Sequence, residues 1–259
     1  MYQVISAFGD SKDAMSILET SAKAAAAGNA TTTDSVNLLS AVMKGYKDVS
    51  AESAQKVADL SFATVRLGQT SFSELASSIG KVVPLSSALN VQQEELYGVF
   101  ATLTGVTGST AEVATQYKAV LSGLMTPSKD MTASLKKLGF STADAAIKSL
   151  GFQGPLEALK GTVHGDEQAM AKLFSSTEAQ TAVLAMCGAQ SENLTNKTAE
   201  MYTATGAANA AFEKQTNTLD YDIQMIKNLG ANFLTEIGTK IIPLSLIHIS
   251  EPTRPEPIS

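Results

Sequence analysis

The fold class this sequence predicts is all-α: a multi-helix globular domain of short capped helices, then one long amphipathic helix with coiled-coil spacing. Three observations carry the prediction. Helix start and stop signals recur along most of the chain. Between them, apolar residues fall at helical spacing. Strand-like alternation of Val, Ile, Thr and aromatic residues is sparse, which argues against a large sheet. At 259 residues, with 44% apolar and 17% charged, the chain can bury a real core as one or two domains. Ala, Ser and Thr are abundant and Trp is absent, so helices can approach one another closely.

In chain order, a first helix is expected from about Ser11 to Ala27, stopped by Gly28-Asn29. A second starts after Thr31-Thr32-Thr33 and ends near Tyr46. Ser50 is the expected N-cap of a third helix, which Gly68 ends. An oxygen at such a position accepts from a helix N–H that has no other partner. Ser71 with Glu74, Ser109 with Glu112 and Ser175 with Glu178 read as capping boxes, and Asn90 with Gln93 is a weaker version. Thr126-Pro127 puts proline at a first helical position, where its missing N–H is harmless. Gly139 and Gly151 read as C-terminal stops. Leu96, Val99, Phe100 and Leu103 share one helix face, as do Val113, Tyr117, Val120, Leu121 and Leu124. Both faces are expected to be core.

From about Ala207 to Ile242 the pattern lengthens. Phe212, Leu219, Ile226 and Phe233 repeat every seventh residue, with Ile223 and Ile237 in the second apolar position. Thr216, Gly230 and Lys240 interrupt the seam. Two readings stay open: a self-association seam, or a long helix packed on its own domain. The expected organisation is therefore a helical domain over 1–205, a heptad-patterned helix over 206–243 and a foreign tail over 244–259. That tail begins LSLIHISEPTR, which resembles a translated sequencing adapter rather than natural sequence. Setting it aside removes Arg254, Glu251 and Glu256, so the formal charge moves from −6 to 18 basic minus 23 acidic, or −5.

Groups fit for chemistry are scarce. Without His248 in the tail, His164 is the only histidine, and its neighbours Asp166 and Glu167 suit a helix first turn better than a metal site. Glu94-Glu95 is no catalytic dyad, because adjacent helical residues do not face each other. Gly80-Lys81 only superficially resembles a phosphate loop, since Val82 replaces the required Ser/Thr. Cys187, the only cysteine, reads as a small buried hydrophobe. No cofactor is implied and no catalytic residue is assigned. No Lys/Arg stripe marks a nucleic-acid footprint. No apolar run reaches the ~18 residues of a membrane span, and Met1–Gly9 has no basic leader segment. The absence of chemistry points to a structural protein.

A resemblance also covers most of the chain, from about Ser11 to Pro243, and is densest over Leu67–Gly139. Gly68-Gln69 leads into Glu74-Leu75-Ala76, and Ile79-Gly80-Lys81-Val82-Val83-Pro84 precedes a helix ending at Leu89. Glu94-Glu95-Leu96 opens the next helix, which ends in Leu103-Thr104. Pro127-Ser128 and Leu135-Lys136-Lys137-Leu138-Gly139 follow. Farther on come Leu173-Phe174, Ala182-Val183-Leu184-Ala185 and Ile226-Lys227-Asn228-Leu229. In order and spacing these resemble the core of bacteriophage tail tape-measure proteins. Asn90 departs from the glycine common at that turn, but Asn tolerates left-handed geometry.

The resemblance implies a virion-tail protein assembled in host cytoplasm. Such proteins set tube length and leave ahead of DNA. The implied partners are further copies of itself and tail-tube, tail-assembly chaperone and baseplate proteins. It also implies that this chain is an internal piece of a longer protein. Alternative readings are a fragment of a tail-associated cell-wall hydrolase and a generic helical adaptor.

Overall fold

The computed structural model of the protein describes residues 6–8 and 13–217. Among them every regular element is helical. The chain divides into two units, Met1–Glu213 and Lys214–Ser259, and the fold below is that of the first.

Helices α1 (Ala14–Ala27), α2 (Thr32–Gly45) and α3 (Ala51–Leu67) follow the expected order and stops. Asn29 takes φ 49° in the turn after α1. Thr31 and Asp34 form a full capping box at α2 that the sequence reading did not name. Ser50 caps α3 through the Ser53 N–H. Next come α4 (Phe72–Ser78), a 3₁₀ turn Ile79–Lys81 and α5 (Val83–Ala88). The Ser71–Glu74 box closes in both directions, with Glu74 accepting from Ser71 N–H at 2.8 Å.

The central pair is α6 (Gln93–Thr107) and α7 (Thr110–Met125). The remaining helices are α8 (Lys129–Lys137), α9 (Ala143–Leu150), α10 (Gln153–Thr162), α11 (Glu167–Lys172), α12 (Thr177–Cys187) and α13 (Ser191–Met201). A helix over 207–217 follows. Gly139 and Gly151 sit at positive φ, 86° and 73°, as their stopping role requires.

Four local expectations shift, each for a visible reason. Before α6, Asn90 takes φ 60° and the helix starts later than an Asn90–Gln93 box would place it. Glu95, not Gln93, reaches back to the Gln92 N–H at 2.9 Å. At α7, Ser109 accepts from Glu112 N–H, but the Glu112 carboxylate turns to Gln116 at 2.8 Å, so only half the box forms. At α8, Pro127 lies outside the helix. Ser128 is the cap, accepting from Met131 N–H while its hydroxyl donates to the Leu173 carbonyl. At α12 the cap is Ser176, one residue beyond Ser175, and it accepts from Ala179 N–H.

The core is continuous across these helices. Helix α6 packs against α3, α7, α12 and α13. All nine residues of the two expected core faces are buried. Phe100, Tyr117 and Phe152 interlock edge to face, with ring centroids 6.4 Å and 5.3 Å apart. Phe62 stacks on Phe72 at 5.1 Å.

Small residues do set helix approach. A methyl on Gly98 would strike Thr198 of α13, whose Cα lies 3.1 Å from that position. Three buried hydroxyls are absorbed by the preceding turn: Ser61 donates to the Val57 carbonyl, Thr102 to Gly98 and Thr104 to Phe100. A chain rich in Ser and Thr can therefore still build an apolar interior.

Candidate functional site

Among the described residues no three His, Cys, Asp or Glu side chains converge to hold a metal. His164 is exposed and occupies a left-handed turn at φ 53°. Asp166 beside it caps α11, accepting from Gln168 and Ala169 N–H at 2.9 and 3.1 Å. The cluster shapes a turn and a helix start.

Cys187 is 3% exposed, and burial pushes its thiol up to about 12, with the Glu157 carboxylate adding to the rise. Such a thiol is a poor nucleophile at neutral pH. Gly80-Lys81 lies in the 3₁₀ turn, not in a strand-to-helix loop. Among the described residues no helix is long and apolar enough to cross a membrane.

Glu94 and Glu95 diverge as adjacent helical residues must. Glu94 pairs with Lys56 of α3 at 2.7 Å. Glu95 turns inward and accepts from Phe152 N–H at 2.6 Å, next to Gly151, so it ties the entry of α10 to the start of α6. Burial raises its pKa above the usual carboxylate value, against the opposing pull of the Gln92 and Phe152 N–H groups.

Of the proposed seam, Phe212 lies in the helix over 207–217 and is half-buried. Leu219, Ile223, Ile226, Phe233 and Ile237 lie outside the described residues, as does the adapter-like tail.

The residue that sequence reading missed is Asp59. It sits in the middle of α3, among Val57, Ala58 and Leu60, and is 4% exposed. A buried carboxylate is costly unless donors surround it. Here there are three: Gln55 Nε2 at 3.1 Å, Gly206 N–H at 3.0 Å and Ala208 N–H at 2.8 Å. The last two belong to the start of the helix over 207–217, whose leading N–H groups have no partner within the helix. Asp59 therefore caps a helix 147 residues farther along the chain. The only sequence signal was a single Asp interrupting an apolar run.

Asp59 also lines an open groove of about 450 Å³ with Asp48, Glu52, Lys56, Glu94 and Tyr202. From Tyr202 to Ala211 the only side chains that are buried or partly buried are alanines. A buried methyl contributes roughly 0.8 kcal/mol, and a hydrogen bond to a charged group about 1.5–3 kcal/mol. The carboxylate thus outweighs any single apolar contact at this junction.

The carboxylates of Asp59, Glu95 and Asp166 are thus taken up by helix starts and turns. Comparison with known proteins gives the arrangement its context. The family model described as phage-related minor tail protein matches residues 1–185, from the N-terminus into α12. The chain belongs to that family. The chain is also 26% identical, over 243 residues, to a probable tape measure protein of Clostridium phage phiCD119. That alignment covers 90% of this chain and 25% of the phage protein, so the chain spans about a quarter of its relative's length. No solved structure matches. The tail tape-measure resemblance of Leu67–Gly139 thus agrees with both comparisons, and the all-α class agrees with the structure.

Proposed function

We propose that this member of the minor tail protein family is a segment of a tape-measure protein, which sets tail length during assembly and leaves with or ahead of DNA at infection. The observation that supports this most is the alignment with a probable tape measure protein along nearly the whole chain. The role is mechanical. Polar and titratable groups here cap helices or brace turns, as Asp59, Glu95 and Asp166 do, and the protein acts through packed helix faces rather than as an enzyme.

It assembles in the host cytoplasm and resides in the virion tail. Its partners are tail-tube, tail-assembly chaperone and baseplate proteins, and further copies of itself through Phe212, Leu219, Ile223, Ile226, Phe233 and Ile237. Mass spectrometry of purified tails tests the reading. Peptides from this segment should appear there in a fixed ratio to tube protein. Their absence from intact tails would overturn it, and muralytic activity of the isolated segment on a zymogram would favour the hydrolase.

A further inference from the structure

We propose that the groove between α3, α6 and the turn after α13 receives the lysine face of α8 from a second copy of this chain. The contact is a surface separate from the heptad seam, and its test can fail while the tail role holds.

The groove carries uncompensated negative charge. Asp48, Glu52, Lys56, Asp59 and Glu94 all line it. Lys56 is taken up by Glu94 at 2.7 Å. Among the described residues no cation pairs with Asp48, Glu52 or Asp59. The backbone N–H groups that donate to Asp48 and Asp59 are neutral, and the N-terminus of α3 offsets only about half a charge. A hydroxyl in the same wall points the same way. Ser53 is 4% exposed and lines the groove, and its Oγ has no hydrogen-bond partner. Buried polar atoms are rarely left so, and an ammonium group seated here would donate to it.

Helix α8 carries the complement. Met131, Ser134 and Leu135 are buried in the core, while Lys129 and Lys136 are exposed. Neither lysine pairs with a carboxylate among the described residues. They border a surface hollow with Thr132 and Ala133, whose small side chains let another helix lie close. The charge spacing matches as well. Lys129 and Lys136 are seven residues apart on α8, as Glu52 and Asp59 are on α3, and on each helix that is two turns, or about 10 Å. Within one copy α8 packs against α10, so its lysine face is left for another molecule. Because the two faces differ, every docked copy still presents one of each. Heterologous contacts of this kind close into a ring or run on as a strand.

Sedimentation equilibrium of the full chain tests this with Glu52→Lys and Lys136→Glu, both at exposed positions. The wild type is expected to self-associate at low salt and less so as salt rises. Each reversal is expected to weaken association about tenfold or more. An equimolar mixture of the two variants should recover it, because one keeps α8 and the other keeps the groove. Association that neither reversal changes would overturn the contact and leave the heptad seam as its source. Loss in both variants without recovery in the mixture would overturn it too. A wild type that stays monomeric at low salt would do the same, and would leave the groove to a basic segment of another protein. If a reversal fails to fold, Glu52→Gln and Lys136→Gln decide, each with an expected loss of about threefold.

Discussion

The α6–α7 centre and the turn after Met201 are held by different means. At the centre, Phe100, Tyr117 and Phe152 lock three helices through large buried rings. From Tyr202 to Ala211 the buried side chains are alanines, and the Asp59 carboxylate accepts from the Gly206 and Ala208 N–H groups. Apolar volume makes the first region cooperative, since removing any ring leaves a cavity that its neighbours only partly fill. In the second the hold is directional, two N–H groups aimed at one carboxylate.

The largest expected effect strikes the centre. Tyr117→Ala should cost about 3–5 kcal/mol, a large share of the ~5–15 kcal/mol of a typical domain. Urea denaturation followed by circular dichroism measures it. Tyr117→Phe sharpens the point. The Tyr117 hydroxyl is buried without a hydrogen-bond partner, and nearby Ser86 donates to the Val82 carbonyl instead. Its removal should be neutral or slightly stabilising. A loss near that of the Ala variant would show that the hydroxyl, not the ring, holds the centre.

Gly98→Ala comes next. Overpacking against Thr198 should cost roughly 1–3 kcal/mol, more than the better helix propensity of Ala returns. It should loosen α13 before α7, as exchange rates over 191–201 and 110–125 would report. Equal loosening would mean that α13 belongs energetically to the centre.

Glu95 gives a smaller, pH-dependent effect. Its folded pKa is raised above the ordinary 4.5. A raised carboxyl holds its proton more tightly in the folded state. The contribution is therefore complete below about pH 4.5 and fades as the pH climbs through the folded value. The stability advantage of the wild type over Glu95→Gln should be greatest at the acid end and shrink from there upward. A difference that grows with pH would reverse the assignment of burial as the dominant cause.

The smallest effect belongs to the Lys56–Glu94 pair on the groove wall. Lys56 is half exposed, so Lys56→Ala should cost no more than about 1 kcal/mol. Thermal melts at low and high salt should show that difference disappearing in salt.

What the sequence revealed and what it hid follow from range. Ser50, Ser71, Gly139 and Gly151 were legible because a cap lies within a few residues of what it caps. The faces of α6 and α7 were legible because period and burial coincide. Pro127 misled because Ser128, one residue on, is the better acceptor and is fixed by Leu173. Glu112 failed to close its box because Gln116 competes one turn later.

Asp59 and Glu95 were illegible in principle. Their partners stand 147 and 57 residues away, and no local pattern announces them. The candidate seam was legible only as a spacing, of which Phe212 alone falls within the described residues.

A tail-length role carried by helices can be tested on the phage itself. In-frame deletions within the gene segment that encodes these helices should be paired with tail lengths measured by electron microscopy. A helical strand extended along the tube shortens by about 1.5 Å per residue removed. Tails are expected to shorten in that proportion and stay uniform in length. Tails of unchanged length would contradict it.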